Sequence, residues 1–210
     1  MFNNHPFNLM QRSACGGIDI GAAYDCDNPV TAGVNQRLIL IDKQVFDNAT
    51  VTYDVGTPNL ITNITLGIVG DAGFAFQGVR KSLNPQSAFA PTSVTVQYDH
   101  QVDFLCFDIS AAQKNNIEKM GTSPVVAILE NSNTIGNADS VFEVFGTGVG
   151  MFLQPGPLRI NGDLESSGAF TLSLKSSDDF GKEPHMPNSF WDTDYSTTKA
   201  KVDAILIPVV

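Results

Sequence analysis

The stretch SAAQKNNIEKMG, residues 110–121, is a well-marked helix in a chain that otherwise has the pattern of strands and turns. Ser110 and Gln113 have the spacing of a capping box, in which the serine side chain accepts the Gln113 amide and the glutamine reaches back. The helix is therefore predicted over residues 111–120, with Gly and Pro after it as the stop. Its apolar residues fall along one face, which predicts a short helix packed against other elements.

Runs rich in β-branched and aromatic residues surround this helix, separated by Gly, Pro, Asn and Asp. The predicted strands are 37–42, 50–54, 94–99, 102–109, 125–130, 141–145 and 170–174, with a last strand in the apolar ending 202–210. Two pairs of runs read as hairpins, 94–99 with 102–109 and 125–130 with 141–145. The whole pattern predicts an all-β fold, a β-sandwich or barrel with one flanking α-helix.

The length of 210 residues fits one domain with a sizeable core. Residues 1–31 are rich in Asn and Gly and carry no sustained period, so they are predicted to be an N-terminal arm, and residues 32–210 a single β-sandwich domain. Hydrophobic residues make up 42% of the chain and charged residues only 16%. Such a weakly charged surface is easier to understand if neighbouring subunits cover part of it, although an ordinary soluble sandwich has a similar composition.

The net charge of −10 argues against nucleic acid as a ligand, because phosphate binding needs clustered Lys and Arg. Part of the acidic excess is concentrated near the C-terminus, and the predicted intersubunit loop consists of Asp178, Asp179, Glu183, Asp192 and Asp194. A solvated loop, a cation site and a surface that repels polyanions are the three interpretations of this cluster. The ordered spacing of a calcium loop is missing, which disfavours the cation site.

Residues with catalytic chemistry do not form a recognisable pattern. The three cysteines lack a C-x-x-C spacing, and the three histidines lack a nucleophile or a metal-ligand spacing. The glycine-rich run GTGVG at 146–150 is followed by Pro155 and Pro157, which exclude the helix that a dinucleotide turn needs. We therefore expect no enzyme activity, no cofactor and no metal. The absence of a signal peptide pattern or a long apolar run predicts a chain made in a cytoplasm without a membrane span.

Three stretches resemble virion proteins encoded among phage tail genes: DCDNPVTAGVNQRLILI at 25–41, residues 125–154 with their glycine-rich end, and PNSFWDTDY at 187–195. The chain is similar to the tail tube, or major tail, proteins of long-tailed phages. This resemblance implies a β-sandwich with one flanking helix, an N-terminal arm, and rings, commonly hexameric, that stack into a hollow tube within the virion. It also implies contacts with other virion proteins and an acidic lumen through which DNA passes without binding.

If the chain forms a tube, the hairpin 125–130 with 141–145 is the best candidate to face inward. It would carry Glu130 and Glu143 towards the channel, where carboxylates repel phosphate. A capsid decoration protein, a head–tail connector and a tail terminator have no feature in this sequence that separates them from a tube protein. A β-sandwich module that binds carbohydrate or a receptor is a second class, and a glycosidase with Glu130 and Glu143 as its carboxylate pair is the weakest third.

Overall fold

The computed structural model describes residues 33–79, 82–91, 95–132, 138–156, 158–159, 168–176 and 181–209. The predicted arm and two members of the predicted intersubunit loop, Asp178 and Asp179, lie outside these residues. The described strands are β1 (Val34–Asp42), β2 (Thr50–Tyr53), β3 (Leu60–Thr65), β4 (Phe74–Gln77), β5 (Leu83–Phe89), β6 (Tyr98–Cys106), β7 (Val125–Asn131), β8 (Phe142–Phe145), β9 (Phe152–Leu153), β10 (Phe170–Lys175) and β11 (Asn188–Phe190). The described helices are α1 (Lys43–Asn48), α2 (Ala111–Met120) and α3 (Tyr195–Ala204), with a short 3-10 turn at Ala138–Ser140.

The strands form two sheets. The larger has seven strands in the order β2-β3-β11-β8-β7-β1-β4, and the smaller has four in the order β5-β6-β10-β9. Neighbouring strands are antiparallel except β11 and β3, which are parallel. The predicted mainly-β fold is therefore confirmed, and it consists of two sheets.

Two apolar layers cover the larger sheet, one on each face. Leu38 and Leu40 of β1 point into the layer between the two sheets, together with Phe104 of β6. Ile39 and Ile41 point to the opposite face, where α1 and α3 pack. Because side chains alternate along a strand, the uninterrupted apolar run of β1 supplies both layers.

Helix α2 has the predicted bounds, and half of its predicted capping box forms. The Ser110 hydroxyl accepts the Gln113 N–H at 3.2 Å. The Ser110 N–H is donated to the Asp108 carboxylate at 2.9 Å, so the reciprocal bond from the Gln113 side chain is replaced. Ile117 and Met120 are buried in the layer between the sheets, as a packed helix requires.

The prediction of a single flanking helix is wrong, because α1 and α3 cover the outer face of the larger sheet. The predicted last strand is also wrong, since α3 continues to Ala204 and a turn follows. Asp194 caps α3 by accepting the Thr197 N–H at 2.9 Å. Asp203 binds Arg37 of β1 at 2.6 Å, and Val202 is buried on the larger sheet. These tertiary contacts stabilise a helix although the β-branched residues of the segment favour a strand.

The predicted hairpin 94–99 with 102–109 is wrong as well, because β6 continues from Tyr98 to Cys106 without a turn at residues 100 and 101. The Pro-containing segment before it forms edge strand β5, which pairs with β6 from Leu83 opposite Phe104 to Phe89 opposite Tyr98. Proline is tolerated there because an edge strand has one side without a sheet partner. The second predicted hairpin is confirmed: β7 pairs with β8 from Ala127 opposite Phe145 to Glu130 opposite Phe142.

Candidate assembly surface

Two sheet edges that have no strand partner among the described residues lie on the same flank of the sandwich. Strand β4 ends the larger sheet and β5 ends the smaller one, and the two are consecutive strands in the chain. Phe76 of β4 packs edge-on against Phe104 of β6 at 5.4 Å, and Phe104 is paired with Leu83 of β5. We name β4 and β5 together the β4–β5 flank.

The β4–β5 flank has no charged residue. Its sequences are FAFQ and LNPQSAF, and most of these residues are exposed. Soluble proteins commonly protect sheet edges with Lys, Pro or a covering element, because unpaired backbone groups recruit other strands. Pro85 is the one such device within these two strands. At the other end of the larger sheet, β2 has the sequence TVTY, which is also uncharged and mostly exposed.

Aromatic side chains protrude from the β4–β5 flank. Phe74 is 59% exposed and Phe89 is 62% exposed. Phe89 lies at the end of β5, where its ring contacts Tyr98 edge-on at 5.8 Å, and the exposed Val96 follows in the connection to β6. The sequence predictions missed this surface, although the absence of charge in FAFQ and QSAF was a visible signal.

An apolar pocket adjoins β4. It has a volume of about 130 Å³ between β1, β4 and α2. Its lining consists of the apolar residues Leu40, Phe74, Phe76, Met120 and Val125 and the polar residues Asp42, Asn116 and Lys119. We name it the α2 pocket. Apolar walls with a few polar groups suit an apolar side chain better than a charged one.

The predicted lumen residue Glu130 belongs to a polar cluster beneath α3. Its side chain is 7% exposed, and its carboxylate accepts the Tyr195 hydroxyl at 2.6 Å. This hydrogen bond, with burial, raises the pKa of Tyr195 to about 12. Arg37 bridges nearby to Asp203, which also binds Lys199 at 3.0 Å. Burial raises the pKa of Asp203, but the bonds from Lys199 and Arg37 outweigh it and leave that pKa below its ordinary value.

The second predicted lumen residue, Glu143, lies on the other face of the same sheet. It is opposite Leu129 in the β7–β8 pair, and Leu129 points into the layer between the sheets, whereas Glu130 is opposite Phe142, which points towards α3. Burial raises the pKa of Glu143, although a hydrogen bond with Asn131 partly offsets the shift. The expectation that one face of this hairpin carries both carboxylates is therefore wrong. A lumen position for either one stays a prediction.

Glu183, predicted in an intersubunit loop, is 1% exposed and is bound internally. Its carboxylate accepts three backbone N–H groups of the glycine-rich run: Gly148 at 2.7 Å, Val149 at 2.9 Å and Gly150 at 3.0 Å. Successive N–H groups in such a turn form a concave anion site. The run that resembles a phosphate-binding turn thus binds a carboxylate of its own chain, and both oxygens of Glu183 have partners within the subunit.

His100 completes this buried polar region. The Nδ1 atom of its imidazole accepts the Gly146 N–H at 3.1 Å, and the Nε2 atom lies 3.0 Å from the His185 carbonyl oxygen. Because a carbonyl only accepts, Nε2 carries the proton and donates it to His185. Burial lowers the pKa of His100, while the nearby Glu183 and the bond to His185 oppose that shift. The side chain is fully buried, so it holds two loops together and has no access to a substrate.

The other described acidic residues of the predicted intersubunit loop, Asp192 and Asp194, have local partners. Asp192 pairs with Lys201 at 3.1 Å, and Asp194 caps α3. Hydrogen bonds from Ser196 and Thr197 hold the pKa of Asp194 well below its ordinary range. The described members of the predicted loop therefore act within the subunit, and a contact between subunits through them stays a prediction.

In the part of the chain that the structure describes, no group of three or more His, Cys, Asp or Glu residues is placed to hold a metal ion. None of the described helices has the length and apolar character needed to cross a membrane. In comparisons with known proteins, no family model, no curated protein and no solved structure matches this chain.

Proposed function

We propose that this protein is a structural subunit that assembles with copies of itself through its free sheet edges. The observation that carries the proposal is the uncharged, exposed β4–β5 flank. An edge strand with unpaired N–H and C=O groups and no charged side chain is a template for another strand. The apolar rings of Phe74 and Phe89 on the same flank supply area that is stabilised when water is excluded.

The larger sheet has two edges without a strand partner in the part of the chain that the structure describes, and two such edges favour repeated assembly over a single pair. The larger sheet ends in β4 on one side and β2 on the other, and both are uncharged. A contact between two different surfaces is heterologous, and it produces a closed ring or an open helix according to the rotation between copies. A tube built from rings is one such product.

The finer proposal is a phage tail tube protein located in the virion. The sequence resemblance supports it, and so do the mainly-β fold, the net charge of −10 and the uncharged edges. An acidic assembly would let DNA pass without binding, because phosphate is repelled and no basic cluster retains it. The proposal includes homo-oligomeric rings, contacts with other virion proteins and no enzymatic activity.

Sedimentation velocity of the purified chain with charged edges tests the proposal. Lys at two exposed edge positions, Ala75→Lys with Ser87→Lys, should reduce the assembled fraction, because a charged edge disfavours strand addition. Thr171→Lys is the matched control, since Thr171 is exposed on β10, which has strand partners on both sides. The proposal fails if the parent chain remains monomeric at every concentration, or if the edge variant assembles as well as the parent.

A second function, binding of a polar small molecule, is favoured by one observation. An open polar cavity of about 530 Å³ lies between the start of β1 and α3. Its lining residues are Val34, Asn35, Gln36, Arg37, Gln77, Glu130, Ser132 and Lys199. Amide, hydroxyl and charged groups there offer both donors and acceptors, as a carbohydrate-binding module would need. Binding of a glycan from an array by the monomeric chain would support this alternative over assembly.

A further inference from the structure

One buried histidine joins two loops to β6. His100 is fully buried, and its ring packs edge-on against Phe145 at 5.5 Å. Its Nδ1 atom accepts the N–H of Gly146, and its Nε2 atom donates to the carbonyl of His185. Gly146 begins the glycine-rich run 146–150, and His185 belongs to the segment 183–187 before β11. A single ring thus connects two loops that are far apart in the sequence.

The hydrogen-bond roles of the two ring nitrogens fit only the neutral imidazole. A backbone N–H only donates and a carbonyl only accepts, so Nδ1 carries a lone pair and Nε2 carries the proton. A protonated ring has an N–H on both nitrogens, which sets the Nδ1 proton against the Gly146 N–H and breaks that bond. Because the ring has no contact with water, the added charge also loses its solvation.

The described charged groups beside the ring already have partners. Glu183 faces it from the segment 183–187, but its carboxylate accepts three N–H groups of the glycine-rich run. Asp99 of β6 binds Lys182 at 2.7 Å, and Lys175 of β10 lies 4.0 Å from the same carboxylate. Glu143 of β8 has its hydrogen bond within its own hairpin. Burial lowers the pKa of the imidazole, and the attraction of Glu183 and Asp99 does not offset this shift.

The two loops are held by fewer elements than the central strands. The segment 183–187 pairs with β6 at Tyr98, and the glycine-rich run is bound to the Glu183 carboxylate and the His100 ring. Strand β1, in contrast, pairs with β7 on one side and with β4 on the other. Loops of this kind open locally at a lower free energy than the whole chain unfolds.

We propose that His100 is a pH-sensitive contact: when its ring is protonated in weakly acidic solution, the glycine-rich run and the segment 183–187 separate from it while the central strands stay folded. The inference goes beyond the proposed self-assembly and does not depend on it. Opening uncovers Phe145 and the apolar layer around it, so this end of the sandwich gains an apolar surface in acid. One proton is taken up on opening, and the opened ring has the ordinary pKa of about 6.5. The open population therefore rises at most about tenfold between pH 7.5 and pH 5.5.

Hydrogen exchange of the full chain, measured by mass spectrometry at pH 7.5 and pH 5.5, tests the proposal. Each rate is divided by the rate of an unstructured peptide of the same sequence at the same pH, which removes the intrinsic pH dependence of exchange. The protection of the Gly146, Gly148 and Glu183 amides should fall about three- to tenfold at pH 5.5. The Gly121 amide at the end of α2 opens without His100 and should change less than about twofold. Unchanged protection in the glycine-rich run would overturn the proposal.

A low concentration of urea separates local opening from unfolding of the whole chain. Local opening exposes little surface, so about 1 M urea at pH 5.5 should leave exchange in the two loops unchanged and accelerate exchange in β1. Equal acceleration in the loops and in β1 would mean that the loops exchange by global unfolding, and the proposal would then be wrong.

Two variants identify the titrating group. His100→Asn places an amide oxygen near the position of Nδ1 and cannot be protonated, so protection of the glycine-rich run should no longer depend on pH. His185→Gln is the matched control, because it changes an exposed histidine, and it should retain the fall. A fall that persists in His100→Asn would contradict the proposal. If that variant does not fold, exchange of the ring C2 hydrogen in the parent measures the pKa of His100 directly. A value below 6.5 supports the proposal, and a value of 6.5 or above overturns it.

Discussion

The carboxylate of Glu183 accepts the backbone N–H of Gly148 at 2.7 Å, although 35 positions separate the two residues. A Cβ atom on Gly148 would lie 2.7 Å from the Glu183 Oε2 atom and 2.6 Å from Pro184, so only glycine permits this approach. The backbone of Glu183 also pairs with Tyr98 on β6 in both directions. The segment before β11 is thus attached to the sandwich through one buried acidic residue.

We expect Glu183→Gln to lower the free energy of unfolding by about 2–4 kcal/mol. The amide of the substituted side chain retains one acceptor oxygen, but its NH₂ group replaces the other oxygen and faces backbone N–H groups that then have no acceptor. Hydrogen bonds to charged groups contribute about 1.5–3 kcal/mol each. Urea unfolding measures the change. Glu118→Gln on the exposed side of α2 is the matched control and should change stability by less than about 0.5 kcal/mol. Equal stabilities of the two variants would contradict the internal role of Glu183.

The stability of the protein should fall as the pH drops below about 6.5. The pKa of His100 is lowered in the folded chain, mainly by burial, whereas the unfolded chain has the ordinary value of about 6.5. As the pH falls, the unfolded state therefore binds this proton before the folded state does. The free energy of unfolding is highest above about pH 6.5, and this contribution is lost as the pH falls through the folded pKa. Urea unfolding from pH 7.5 to 5 should show this slope in the parent and in His185→Gln, which changes an exposed histidine. His100→Gln should have a shallower slope, and an unchanged slope in that variant would count against the prediction.

Glu143→Gln should stabilise the protein at pH 7. Burial raises the pKa of Glu143, so the folded chain favours the neutral carboxyl. The free energy of unfolding therefore decreases as the pH rises through the folded pKa and the carboxyl ionises. A neutral amide of the same shape removes that loss. The gain should be present in thermal melts at pH 7 and absent at pH 4, where the parent carboxyl is largely protonated. Destabilisation at pH 7 would show that the hydrogen bond between Asn131 and the ionised carboxylate outweighs the cost of burying the charge.

The two sides of α2 should differ strongly in their tolerance of substitution. Ser110→Ala removes an N-cap bond and should cost about 1 kcal/mol. Ile117→Asp places an unpaired charge at a position that is 3% exposed and should cost at least about 4 kcal/mol. Chemical denaturation separates these values. Similar melting of both variants would mean that α2 does not pack against the core.

Local signals in the sequence were sufficient for some elements and insufficient for others. Helix α2 and the β7–β8 hairpin were predictable because a cap, a stop and long apolar runs lie within a few residues of each other. Helix α3 was missed because its stabilising contacts are distant: Asp203 binds Arg37, 166 positions away, and Val202 packs on the larger sheet. Its β-branched residues favour a strand when considered alone.

The placement of acidic side chains shows the same limit. Glu183 has the appearance of a solvated loop residue in the sequence, and only the folded chain brings it to the N–H groups of the glycine-rich run. For Glu130 and Glu143, a hairpin was correctly predicted but its register was not. A shift of one residue in register exchanges the faces of a strand, so the sequence did not determine which carboxylate lies on which side.

The most direct test of self-assembly is electron microscopy of the negatively stained full-length chain over a concentration series. We expect rings, or tubes built from a repeated unit, that grow more numerous with concentration and are lost in the Ala75→Lys, Ser87→Lys protein. Single particles with the mass of one 22.5 kDa chain at every concentration would contradict the account.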